Sequence, residues 1–178
     1  MWWPDYMLAS WRRVRQFARA LTARVHSSEL AQVATLLPQP AVQLFAEMPR
    51  SVQRHSLDVL YCLQERGETD QELLSAALLH DVAKAEGIGI WHRVLFVLLR
   101  ALGSGRVERV ASSRPGSWRS AIWAQLHHAQ RGAELAEAAG CAPATVLLIR
   151  FHQPDGAAGS RPPPDRRLRA LQAADEQA

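Results

Sequence analysis

The chain has 178 residues, 48% of them hydrophobic, with a net charge of +4 and a pI near 9.8. That is one domain of ordinary size with enough apolar residues for a proper core. The basic surplus is modest and sits mainly at the two ends, so nucleic acid is not indicated as a partner. No apolar run approaches the ~18 residues of a membrane span, and no signal-peptide pattern opens the chain.

Residues 6–25 fit an amphipathic helix. Met7, Trp11, Val14, Phe17, Leu21 and Val25 recur at helical steps, and Arg12, Arg13, Arg15, Arg19 and Arg24 fill the other faces. Such a stripe packs on the domain behind it or, alternatively, lies on an anionic surface or relays a signal. Ser27 or Ser28 can cap a short helix that ends before Pro38, and Pro38-Gln39-Pro40 breaks the chain. This predicts an N-terminal helical extension over 1–40 and one domain over 41–178.

From Pro49 a second helical pattern carries Val52, His55, Val59 and Cys62 on one face, and Gly67 stops it. Asp70 is placed to cap a central helix rich in Ala and Leu, which delivers His80-Asp81 at its end. Residues 86–89 form a loop, 90–102 a nearly apolar helix, and 103–116 an exposed connection. Two helices follow, 117–128 and 131–139, ending at Gly140. Pro143 opens the next in the favoured first-turn position, reaching His152. A loop from 153 to 165 leads to a last helix over 166–176 that contains Asp175. No segment alternates with period two, so the expected fold is all-α.

The two cysteines, Cys62 and Cys141, lie far apart in helical patterns without metal spacing, which suits reduced residues of a cytoplasmic protein. The metal-competent residues at or near apolar helices are His55, His80, Asp81, His128, His152 and Asp175. A helical bundle can converge such residues on one point, as bundle metal sites do. These nitrogen and oxygen donors suit one or two ions of Mn, Fe, Mg, Co or Ni better than a structural zinc, for which there is no cysteine set. His127 stands beside His128, but His128 has the better offset to Gly132. His26 and His92 read as surface or boundary residues. Arg54, Arg131 and Arg150 flank the donors and are expected at the surface, the alternative being contact with substrate phosphates.

Taken in order, these pieces resemble the HD superfamily of metal-dependent phosphohydrolases over roughly residues 45–176. His55 in Arg-His-Ser-Leu-Asp-Val-Leu resembles the first ligand, and His80-Asp81-Val82-Ala83-Lys84 resembles the core motif of the HDIG-type group. His128-Ala-Gln-Arg-Gly132-Ala133 is similar to the His-Pro-x-x-Gly-Ala segment, His152 matches the next histidine, and Asp175 the closing ligand. The stretch after His152 lacks the Gly-Tyr-Pro of the cyclic dinucleotide phosphodiesterases. Lys84 stands where the alarmone hydrolases have acidic residues.

The resemblance implies an HD-domain helical bundle hydrolysing a small phosphorylated substrate, a nucleotide or cyclic nucleotide, through metal-activated water. It implies a primary ion on His55, His80, Asp81 and Asp175, and a second on His128 and His152 with Asp81 bridging. Asp81 and Lys84 are the implied catalytic residues, Lys84 as a fixed charge beside the phosphate. Lys84 is also the only lysine among 21 basic residues. The alternative is a non-catalytic HD module that binds metal or ligand in signalling. Oligomeric state is left open.

Overall fold

The computed structural model describes residues 24–85, 118–153 and 165–178. The expected elements over 86–89, 90–102 and 103–116, nearly all of the 6–25 helix, and most of the 153–165 loop lie outside these residues. The described residues form seven α-helices and one 3-10 turn, and no strand occurs among them. In chain order they are α1 (Ser27–Leu36), α2 (Gln39–Glu47), α3 (Arg50–Glu65), α4 (Gln71–Leu79), the 3-10 turn (Val82–Ala85), α5 (Trp118–Ala138), α6 (Pro143–Phe151) and α7 (Arg166–Asp175). The fold is all-α, as the sequence predicts.

The local signals act where the sequence places them. The Asp70 carboxylate accepts the Leu73 N–H at 2.9 Å, satisfying one of the free donors at the start of α4. Gly67 takes φ +79°, and the Gly67 and Glu68 N–H groups close back on the Gln64 and Leu63 carbonyls to end α3. Pro143 occupies the first turn of α6, where its missing N–H costs nothing. Two details differ. The cap residue of α1 is His26, one position before the expected serines, and its backbone N–H is taken by Glu29 at 2.7 Å. The expected break near residue 130 does not occur, because α5 runs unbroken from Trp118 to Ala138. Gln130 and Arg131, expected between and at the start of separate helices, sit mid-helix, where each pairs with Glu134.

The core is one cluster. Val33 and Leu37 join Phe45, Leu57, Leu60, Leu63, Leu73, Leu78, Ile149 and Leu171 in it. The boundary expected near residue 40 falls at the short break between α1 and α2, and side chains on both sides of it enter this core. Helix α4 is central, with every residue from Leu73 to Leu79 buried. Packing against α3, α6, α1 and α7, it carries no polar face long enough to be solvated. Cys62 and Cys141 are free and half-buried at the edge of the core.

Gly132 lets α5 approach the 3-10 turn and α6. A Cβ there would lie 3.4 Å from both Val82 Cγ1 and Ile149 Cγ2 and 3.7 Å from the His80 carbonyl oxygen. Gly132→Ala therefore fits in ordinary contact and is expected to be neutral or stabilising by up to about 1 kcal/mol. Gly132→Val has no room for its methyls and is expected to destabilise by about 1–3 kcal/mol, measured by urea unfolding.

An ionic clamp ties α1 to α3. Arg54 reaches Glu29 at 2.6 Å and Asp58 at 3.0 Å, and its guanidinium lies 5.6 Å from the centre of the Tyr61 ring, whose hydroxyl donates to Glu29 at 3.0 Å. Arg54, expected at the surface, is thus largely engaged. Burial alone would raise the Glu29 carboxyl, but the His26 N–H, Arg54 and Tyr61 together hold it below its ordinary value of 4.5. A lowered acid contributes stability that is present above its unfolded pKa and lost as pH falls through the folded one. Wild-type protein should therefore lose thermal stability below about pH 4.5, and Glu29→Gln should flatten that part of the profile. Parallel profiles would remove Glu29 as a source of the acid sensitivity.

Candidate metal centre

Five helices deliver six donors to one place. His55 comes from the middle of α3 and Asp175 from the last residue of α7. His80 is the C-cap of α4, and Asp81 follows it in the turn leading into the 3-10 segment. His128 projects from α5, and His152 is the C-cap of α6. The His-Asp pair therefore sits at a helix end rather than within the helix. The chain stops being helical there, which frees both side chains to face the same point.

The geometry is close. The Asp81 Oδ1 atom lies 3.6 Å from His80 Nε2, 3.6 Å from His128 Nε2 and 3.8 Å from His152 Nε2, and its Oδ2 lies 4.0 Å from His55 Nε2. Asp175 Oδ1 is 2.8 Å from His55 Nε2 and 3.5 Å from His80 Nε2. The rings meet edge to face in a chain, His55 to His80, His80 to His152 and His152 to His128, with centroids 5.2–5.4 Å apart. Two groups result: His55, His80 and Asp175, and Asp81, His128 and His152, the donor atoms of each within 4.8 Å of one another. All six residues singled out from the sequence are brought together.

His80 and His152 are oriented by their own helices. Nδ1 of His80 lies 2.9 Å from the Ala77 carbonyl, and Nδ1 of His152 lies 2.7 Å from the Ile149 carbonyl. Each Nδ1–H donates outward to the backbone, so in the neutral ring the Nε2 lone pair faces Asp81. This is the backing that ligating imidazoles receive in metal sites. Yet His80 Nε2 and His152 Nε2 are buried and make no hydrogen bond. Buried polar atoms without partners are rare because each costs about 1–3 kcal/mol. Separations of 3.5–3.8 Å are too long for hydrogen bonds, but ligands each about 2.1 Å from a shared ion lie about 3 to 3.5 Å apart. These groups could hold a divalent cation.

The electrostatics are those of two carboxylates among imidazoles. Burial would raise Asp81, but Lys84 and then the neighbouring histidines hold it well below the usual carboxylate range. Asp175 behaves likewise, lowered against its burial by His55 and His80. Burial would lower His80, yet Asp81 and Asp175 push its imidazole up to about 9. His152, buried and next to His80, is pushed down to about 4.

Lys84 does not reach out to solvent from the His80 face. Its ammonium donates to Asp81 Oδ2 at 2.8 Å and stands 2.7 Å from Oδ1. The 3-10 turn tightens the spacing, with the Lys84 N–H bonded to the Asp81 carbonyl, so the residue three positions back is the partner. Of the residues read as bystanders, His127 stacks on Trp123 at 4.3 Å, on the flank of α5, and His26 caps α1. Arg150 is half-buried, with no hydrogen bond to its Nε. His92 lies outside the described residues. Among the described residues, no helix is long and apolar enough to cross a membrane. The chain matches no family model, no curated protein and no solved structure.

Proposed function

We propose that the protein is a divalent-metal-dependent phosphohydrolase that cleaves a phosphoester of a nucleotide or cyclic nucleotide. The observation that carries this reading is the convergence of four imidazoles and two carboxylates from five helices on one centre, where the Nε2 atoms of His80 and His152 are buried without a hydrogen bond. A divalent ion held by His55, His80, Asp81, His128, His152 and Asp175 would supply an acidified water and draw charge from a phosphoryl group. Mn, Fe, Mg, Co or Ni would suit this donor set.

The residues divide the work by exposure. His80, His128 and His152 are almost wholly buried and form the floor, where water is excluded and charge interactions strengthen. The side chains of His55 and Asp175 are 25% and 32% exposed and form the accessible rim at which a phosphoester can arrive. Asp81 sits between floor and rim, held by Lys84.

The depth of the floor favours one second reading, a module that holds its ion without turnover. Both are tested by metal analysis of the purified chain together with Mn-supplemented hydrolysis of bis(4-nitrophenyl) phosphate and a nucleotide panel. Bound metal with turnover is the expected result. Bound metal without turnover on any substrate selects the module, and no bound metal overturns both.

A further inference from the structure

The two donor groups differ in charge, and Lys84 is the source of the difference. In the group of His55, His80 and Asp175, the carboxylate lies 2.8 Å from one imidazole and 3.5 Å from another, and no ammonium pairs with it among the described residues. In the group of Asp81, His128 and His152, an ammonium stands 2.7 Å from the same oxygen, Asp81 Oδ1, that three buried Nε2 atoms face. That ammonium is tethered by the 3-10 turn and its side chain is 17% exposed, so water screens it poorly. With neutral imidazoles, the two carboxylates and the ammonium leave a single net negative charge. One divalent ion already reverses that sign, and a second must enter beside both the first ion and Lys84.

We propose that Lys84 is a built-in cation that makes the two metal subsites unequal, so that one ion binds tightly at His55, His80 and Asp175 and a second binds weakly at Asp81, His128 and His152. The proposal rests on the reading of the cluster as a metal centre. It makes Lys84 a positioning residue that acts through Asp81, instead of the phosphate contact that the sequence resemblance implies. Arginine in its place keeps the charge, and methionine keeps the length while removing it.

The test is a Mn2+ titration of the full chain stripped with EDTA, with free ion read by electron paramagnetic resonance. Wild type is compared with Lys84→Met, Lys84→Arg and Asp175→Asn. Wild type should bind one ion tightly and a second at least about tenfold more weakly. Lys84→Met should narrow that gap to less than about threefold. Lys84→Arg should preserve the gap, and Asp175→Asn should lose the tight step. Circular dichroism checks folding, and Lys84→Gln replaces the methionine variant should that one unfold. An unchanged or wider gap without the lysine charge overturns the role of Lys84 and leaves the metal centre standing. Retention of the tight step in Asp175→Asn overturns the order of the subsites. No ion bound by any of the proteins overturns the metal centre and the proposal together.

Discussion

Asp81→Ala is expected to lower the protein's bound metal, losing the ion held at Asp81, His128 and His152, and to lower phosphoester hydrolysis by about a hundredfold or more. Among the described residues, Asp81 alone has a carboxylate that approaches all four of the cluster's imidazoles, with Oδ1 within 3.8 Å of His80, His128 and His152 and Oδ2 4.0 Å from His55. Its removal takes away one of the two negative charges that can neutralise an ion there. Metal contributes several kcal/mol to the stabilisation of a phosphoryl transition state, and each 1.36 kcal/mol is tenfold in rate. The loss should appear in elemental analysis as well as in turnover. Asp81→Asn keeps the shape and removes the charge. If it also loses metal while its melting curve stays cooperative, the effect belongs to the charge and not to misfolding. Full metal content in Asp81→Ala would remove Asp81 from the centre.

Leu78→Ala is expected to destabilise the fold by about 2–5 kcal/mol in urea unfolding. Leu78 is completely buried, and it stands in α4 two residues before His80, among Leu73, Ala76, Ala77 and Leu79, which are buried to the same degree. Interiors are packed as tightly as organic crystals, so the lost methyl groups leave a cavity that the surrounding helices fill only in part. Because His80 and Asp81 hang from the end of this helix, the variant should also bind metal more weakly than wild type under conditions where it remains folded. Leu147, 45% exposed on α6, supplies the contrast, and Leu147→Ala should change stability by no more than about 0.5 kcal/mol. Equal effects at the two positions would mean that α4 is not the central packing element.

The order of the donors along the chain was legible because each is bracketed by signals that act within a turn or two. Asp70 marks the start of α4, Gly67 the end of α3 and Pro143 the start of α6, each through a backbone requirement that its neighbours cannot alter. The helical character of the segments around the donors follows from apolar residues recurring at three- and four-residue steps. A histidine or aspartate at the end of such a run marks itself, since burial without a partner is costly. The continuity of α5 was not legible in the same way. The gap read between residues 128 and 131 is closed in the structure, where Gln130 and Arg131 each pair with Glu134 within one helix.

What the sequence by itself determined, then, was an all-helical chain with six metal-competent side chains placed near helix ends and apolar faces, because propensity, capping and periodicity are local. Only the tertiary structure decided that those six meet at one centre. Asp81 falls with His128 and His152, whereas His55, His80 and Asp175 form the other group, although His80 and Asp81 are adjacent in sequence. The two groups nevertheless adjoin, for Asp81 Oδ1 lies 3.6 Å from His80 Nε2 and its Oδ2 4.0 Å from His55 Nε2. The same packing gave Lys84 to Asp81 and drew Arg54 to Glu29 across 25 positions of chain. Contacts between distant segments depend on how helices cross, and no spacing rule within one helix contains that information.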